Sequence, residues 1–113
     1  MPADSASPVA KVSVVIPVQN RPVAVRRAID SVLAQTCQDF EIIVVDDGST
    51  DNTAAAVEAI DDPRIVLVRH ERNRGASAAR NSGIWAGRAP FVAFLDSDDE
   101  WFPTRLEKVL NVF

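Results

Sequence analysis

Cysteine is nearly missing from this chain: Cys37 is the only one in 113 residues. A lone thiol closes no intrachain disulfide, so nothing points to secretion. Long apolar runs are missing as well. None nears the ~20 residues needed to cross a bilayer, and the N-terminus carries no charged-then-apolar leader. Cytoplasmic residence is therefore the expectation. The net charge is −4 and no basic stripe stands out, which argues against a nucleic-acid partner. There is no Gly-x-x-x-x-Gly-Lys-Ser/Thr loop and no Gly-x-Gly-x-x-Gly, which argues against a P-loop enzyme or a dinucleotide site. Cysteine and histidine form no metal-ligand cluster. No internal repeat or low-complexity linker divides the chain.

What is present reads as one ordinary globular domain, 47% hydrophobic and 25% charged. A chain of this size buries roughly 65% of its unfolded surface, enough for a single core. Residues 1–10 are Pro, Ser, Ala and Asp with little else. They are expected to form a disordered tail, leaving 11–113 as the domain.

Periodicity gives the elements. Residues 11–18 are rich in β-branched side chains and predict a first strand, ended by Pro17. Asn20 offers an N-cap and Pro22 suits an early helix position. Val25, Ala28, Ile29, Val32 and Leu33 then recur at helical spacing, to about Gln35. Residues 40–45 predict a second strand that runs into Asp46-Asp47-Gly48-Ser49-Thr50-Asp51. There Gly48 permits a tight turn, and Ser49, Thr50 or Asp51 caps a short Ala-rich helix over 53–60. Residues 65–68 predict a third strand and 70–74 a polar loop. From Gly75 a run of small residues predicts a thin-faced helix able to lie close on a sheet. Residues 90–95 predict a fourth strand, and a last helix begins at Pro103 with Leu106, Val109 and Leu110 inward. Strictly alternating β and α elements imply an α/β fold: a mostly parallel sheet with helices on both faces.

The stretch most suggestive of chemistry is the fourth strand. Phe91-Val92-Ala93-Phe94-Leu95 runs straight into Asp96, Asp98 and Asp99. A short apolar run of this kind predicts a strand buried on both faces. In open α/β sheets ligands bind beyond the carboxyl ends of the strands. Three carboxylates so close repel one another, and a hard divalent cation relieves that repulsion. The bland alternative is a solvated acidic turn. In a parallel sheet, residues 17–20, 46–51 and 96–99 gather at one edge. Asp46-Asp47 there either supports a helix N-terminus or accepts hydrogen bonds from a ligand's ring N–H or hydroxyls, since a carboxylate only accepts. Arg80 either makes a surface ion pair or has a functional role, reaching the nucleotide or neutralising Asp47. Arg72 and Arg74 are read as loop residues with phosphates as the alternative. His70 is read as a surface histidine, Cys37 as packing, and Trp85 and Trp101 as core or rim aromatics.

From about residue 12 to about residue 112 the chain resembles the inverting family-2 glycosyltransferases, which have the GT-A nucleotide-sugar-binding fold. The resemblance is carried by Val-Ser-Val-Val-Ile-Pro-Val-Gln-Asn, Ser-Val-Leu-Ala-Gln-Thr, and Glu-Ile-Ile-Val-Val-Asp-Asp-Gly-Ser-Thr-Asp. Asn-Arg-Gly-Ala-Ser-Ala-Ala-Arg-Asn-Ser-Gly and Phe-Leu-Asp-Ser-Asp-Asp complete it, in that order. It implies the Rossmann-like nucleotide-binding half of a GT-A fold, acting on a nucleotide-diphosphate sugar, a UDP-sugar above all. Pro17, Val18 and Gln19 would border the base. Asp47, followed by Gly48, would accept from a uracil-type base, with Arg80 beside it. Asp96-Ser97-Asp98 would be the family's Asp-x-Asp element, Asp98 and Asp96 holding Mn²⁺ or Mg²⁺. Two departures stand out. Gln19 occupies a place where the family commonly has an aromatic. No acid here matches the family's catalytic base, so base and acceptor half are expected beyond Phe113. The acceptor would be a polysaccharide, glycan or lipid-linked sugar, with peripheral membrane association through those further regions. Two rivals from other classes are a nucleotide-binding module without turnover and a phosphoacceptor receiver domain. Receiver domains share the length, the alternation and the acidic strand ends. Against that rival, the Ile-Ile-Val-Val-Asp-Asp strand is second here rather than first, and no lysine-ending strand follows Asp96.

Overall fold

The computed structural model describes residues 10–111. The tail expected over 1–10 therefore lies, for residues 1–9, outside the described residues. Four strands and four helices alternate along the chain: β1 (Val12–Val18), α1 (Pro22–Leu33), β2 (Phe40–Asp47), α2 (Thr53–Glu58), β3 (Ile65–His70), α3 (Ala76–Ala86), β4 (Phe91–Phe94) and α4 (Arg105–Leu110). All the strands are parallel, in the order β3-β2-β1-β4. The two long central strands are the two most buried. β2 is buried at every position, as expected of a strand covered on both faces.

The period of two divides the core. On one face Val12, Val14, Ile16 and Val18 of β1 and Phe40, Ile42 and Val44 of β2 pack against Val25, Ala28, Ile29 and Val32 of α1, Val57 of α2 and Leu106 of α4. On the other face Val15, Ile43 and Val45 meet Ala79 of α3. Helices thus lie on both faces, three against one. The single-helix face is thin because α3 is built of small residues. A Cβ added to Gly83 would lie 2.3 Å from a Val15 methyl, so α3 lies on β1 closer than any larger residue allows. Each fully buried Val or Ile stabilises the fold by ~1.5–3 kcal/mol, and that burial sets the strand register. Cys37 and Trp101 pack at the margin of the larger cluster, as their packing reading expected.

The structure differs from the expectations in four places. β3 continues two residues further, to His70, so His70 is a buried strand residue and not a surface one. β4 is a sheet edge and not a doubly buried strand: Val92 is 40% exposed and Phe94 46%. Among the described residues it pairs only with β1. An apolar run reports that something covers the strand, not that these residues do. Asn20 is not the α1 cap but sits in the left-handed region at φ 53°, with Arg21 at the cap position. Trp85 is 88% exposed, which places it in neither core nor rim.

Candidate functional site

Because every strand runs the same way, the carboxyl ends of β1, β2, β3 and β4 open onto one edge. The segments leaving β1 and β2 are tied there by side chains. The Asn20 amide donates to Ser49 Oγ at 2.8 Å, the Thr50 amide to Asn20 Oδ1 at 2.9 Å, and the Arg21 amide to Thr53 Oγ1 at 3.1 Å. Asp51 Oδ1 accepts from the Thr53 amide at 2.9 Å in the turn before α2, but the cap position is Asn52 and has no side-chain cap, so none of Ser49, Thr50 and Asp51 caps the helix as expected. At this edge lies a hollow of about 250 Å³ bordered by Pro17, Val18, Gln19, Asp47 and Ser97, with Arg21, Asn73, Gly75, Ala76 and Ala79 completing it. Five of the residues singled out in the sequence thus share one concavity.

Asp47 is the centre of that wall, and its surroundings follow from register. Asp47 of β2 pairs with His70 of β3, so their side chains lie next to each other on the α3 face. His70 Nδ1 lies 2.8 Å from Asp47 Oδ1, and His70 Nε2 lies 2.8 Å from Ser82 Oγ on α3. A carboxylate is acceptor-only, so Nδ1 carries the proton, and in the neutral ring Nε2 accepts from the Ser82 hydroxyl. The Arg74 amide donates to Asp47 Oδ1 at 2.9 Å and the Gly75 amide to Oδ2 at 3.0 Å. Burial alone raises the Asp47 pKa. The Arg74 amide, His70 and the Gly75 amide outweigh it, so the carboxyl is held below its ordinary value of 3.8 and stays ionised.

Gly48 makes this arrangement possible. It sits at φ +72°, and an added Cβ would lie 2.3 Å from both the Arg72 carbonyl carbon and the Asn73 nitrogen. The loop that delivers the Arg74 and Gly75 amides therefore rests on Gly48. The neighbouring Asp46 points to the opposite face. Its Oδ1 accepts from the Ser49 amide at 3.1 Å. Its buried Oδ2 has no hydrogen bond, facing only Arg69 Nε at 3.5 Å. Arg69 is over half exposed, so this is an ion pair weakened by water and not a saturated one.

The acids after β4 form a second feature. Asp96, Asp98 and Asp99 are exposed, and one carboxylate oxygen from each comes within 4.8 Å of the others. The Asp99 amide closes the turn onto the Asp96 carbonyl at 3.0 Å. Ser97, between them, is buried and faces the Asp47 hollow. Arg80 projects from α3 into a neighbouring hollow of about 370 Å³ that also holds Asp96 and Asp99. The structure thus sets Arg80 by the acidic cluster and gives His70 the place beside Asp47. Sequence reasoning missed His70, Ser82 and the Arg74 and Gly75 amides. Two signals existed: His70 continues the alternation Val66, Val68, His70 on the inner face of β3, and it is the one histidine of the chain. A larger hollow, about 700 Å³, lies between α1 and the segment carrying Trp101 and Phe102. No described helix is long and apolar enough to cross a membrane.

Comparison with known proteins gives the same picture. The model of the family "Glycosyl transferase family 2" matches residues 13–113. The succinoglycan biosynthesis protein ExoO of Rhizobium meliloti is 46% identical over 100 residues, which are 88% of this chain and 29% of ExoO. The structure of S. aureus TarS 1–349 in complex with UDP-GlcNAc superposes with a TM-score of 0.83 at 30% identity, over 89% of this chain and 30% of that one. A mannosyltransferase of Pyrobaculum calidifontis, solved with GDP-Man and Mn²⁺, gives a TM-score of 0.75 at 28% identity, over 84% of this chain and 29% of its own. The chain therefore has the GT-A fold of these neighbours and spans about three tenths of their length.

Proposed function

The chain belongs to glycosyl transferase family 2, and from that premise we propose that it binds the donor, a UDP-sugar, for inverting transfer to an acceptor hydroxyl. The observation that carries this reading is one concavity. An ionised, inward-held Asp47 lies in the same hollow as Pro17, Val18, Gln19 and Ser97. Ser97 belongs in turn to the acidic turn of Asp96 and Asp98. A base with a ring N–H fits the Asp47 end, because the carboxylate only accepts. The diphosphate then runs toward the acids, with Arg80 close by.

The donor set at the acids fits a divalent cation. Three exposed carboxylates supply only oxygen, which suits Mg²⁺ or Mn²⁺ and not a soft metal. Asp98 and Asp96 would hold it, and when bound it neutralises charge on the departing nucleoside diphosphate as a Lewis acid. Arg80 and Arg105 border the same hollow as Asp96 and Asp99 and are the cations that flank that end. Support for the metal and the UDP-sugar comes from the mannosyltransferase solved with Mn²⁺ and the TarS complex with UDP-GlcNAc. A general base must sit within hydrogen-bond reach of the acceptor hydroxyl. We assign that base, and the wall that holds a saccharide or lipid-linked acceptor, to parts of the longer protein.

Calorimetric titration with UDP, with and without Mn²⁺, tests the reading. We expect Mn²⁺ to tighten UDP binding to the wild type and to have no effect on Asp98→Asn. We expect Asp47→Ala to weaken uridine as well as UDP, by roughly tenfold to a hundredfold for one charge-assisted hydrogen bond. Circular dichroism establishes that each variant is folded. UDP affinity indifferent to Mn²⁺ and to both substitutions would sink the donor-site assignment.

A further inference from the structure

We propose that His70 is a specificity-determining residue, a positioning group that presents Asp47 to the base through a single acceptor and so selects uracil over guanine. The inference rests on the reading of Asp47 as the base-contacting carboxylate. A carboxylate has about four acceptor positions, two on each oxygen. At Asp47 Oδ1 both are taken, one by His70 Nδ1 at 2.8 Å and one by the Arg74 amide at 2.9 Å. On Oδ2 the Gly75 amide takes one at 3.0 Å. One position remains, and it is on Oδ2.

That remaining position decides which base fits. Uracil presents one ring N–H between two carbonyls, and one acceptor satisfies it. Guanine presents a ring N–H and an amino group side by side, a pair that grips both oxygens of an open carboxylate, as a guanidinium does. With Oδ1 turned inward and filled, guanine keeps one of the two donors without a partner. An unpaired donor in a closed site weakens binding by roughly tenfold to a hundredfold. Adenine and cytosine turn an unprotonated ring nitrogen toward the same place and are disfavoured by any carboxylate there.

His70 is the member of this set that fills the second position on Oδ1. The two amides hold one oxygen each, and they are backbone groups that no side-chain substitution removes. The imidazole is the one side chain among the three donors. It is held on its far side by Ser82 of α3 at 2.8 Å, and both ring and carboxylate are buried, with side chains 5% and 8% exposed. The chain Ser82, His70, Asp47 thus ties the helix over the thin face to the carboxylate that reads the base.

The test is the ratio of UDP to GDP affinity, measured by titration on the full chain with Mn²⁺ present. Both ligands carry the same diphosphate, so the ratio reports the base. TDP, which offers the same ring N–H as UDP, serves as a third ligand. We expect the wild type to favour UDP over GDP by tenfold or more, with TDP on the UDP side. His70→Leu should bring the ratio within about threefold of unity, even where its melting temperature is close to wild type. His70→Asn, whose amide nitrogen stands where Nδ1 stood, should restore most of the preference. Asp47→Ala separates the two layers of the argument. If it leaves the UDP-to-GDP ratio unchanged, Asp47 does not read the base and the underlying donor-site reading fails. If Asp47→Ala collapses the ratio while His70→Leu preserves it, the donor site stands and the role given to His70 is overturned.

Discussion

Replacing Gly48 by alanine perturbs the site at the point where two loops meet. An alanine Cβ would stand 2.3 Å from the Arg72 carbonyl carbon and from the Asn73 nitrogen, and 2.8 Å from Arg72 Cα. All three are backbone atoms, so no rotamer change relieves the clash. The backbone at φ +72° adds about 1–2 kcal/mol for an L-residue forced into the left-handed region. Overpacking against an unyielding neighbour adds about 1–3 kcal/mol. The sum, about 2–5 kcal/mol, is a large part of the roughly 6–17 kcal/mol that a domain of this length possesses. At about 3–5 °C per kcal/mol the melting temperature should fall by about 6–25 °C. The loss should reach the ligand as well, because the loop pushed away by the new Cβ carries the Arg74 and Gly75 amides that hold Asp47. Thermal unfolding followed by circular dichroism gives the first quantity and titration with UDP the second. Gly48→Asn separates the causes, since asparagine tolerates the left-handed region but keeps the Cβ. It should recover no more than about 1 kcal/mol of the strain. A Gly48→Ala protein that melts within about 2 °C of wild type, less than about 1 kcal/mol at that slope, and binds UDP normally would refute the reasoning.

Acid should unfold the protein in a window set by two buried carboxylates. Burial raises the Glu41 pKa, but the Arg88 amide, the Ser13 hydroxyl and the Arg88 guanidinium together hold it below its ordinary 4.5. Asp47 likewise lies below 3.8. The unfolded chain then binds more protons than the folded one, so this stability is complete above those ordinary values and drains away as pH falls through the folded ones. Urea midpoints should be level near pH 6 and decline below about pH 4.5, less steeply in Glu41→Gln; midpoints level down to pH 3 would contradict the assignment. On the thin face, Gly83→Ala drives a Cβ to 2.3 Å from a Val15 methyl and should cost about 1–3 kcal/mol. In a double-mutant cycle Val15→Ala should return about 1 kcal/mol or more of that loss, and strict additivity would show that the two do not touch.

The parts of the fold that were legible in the sequence are those governed by local rules. The β-branched runs of β1 and β2, the helical spacing of Val25 to Leu33 and the small residues of α3 each announce an element without reference to the rest of the chain. Alternation then gives the parallel sheet, and the parallel sheet gathers Pro17, Val18, Gln19, Asp47 and Ser97. What stayed hidden depends on pairing. That His70 meets Asp47 is a fact of the β2–β3 register, and no single strand contains it. Arg80 sat correctly on its helix, but that it borders the hollow of Asp96 and Asp99 depends on how α3 is rotated on the sheet. The burial of β4 was misread for a related reason: hydrophobicity shows that a strand has a partner without naming it.

That open strand has a consequence for the chain in solution. β4 is short, but among the described residues it ends the sheet, with half-exposed Val92 and Phe94 beside it. Such an edge is a template for another strand, and proteins usually blunt it with lysine, proline or a bulge. Here the only blunting residue adjoining the strand is Pro90, at its start. Two copies share a net charge of −4 and repel each other over about 10 Å at 0.1 M salt and about 3 Å at 1 M. We therefore expect any self-association of this domain to rise with salt, and to arise at the opposite end of the sheet order from β3, whose His70 faces Asp47.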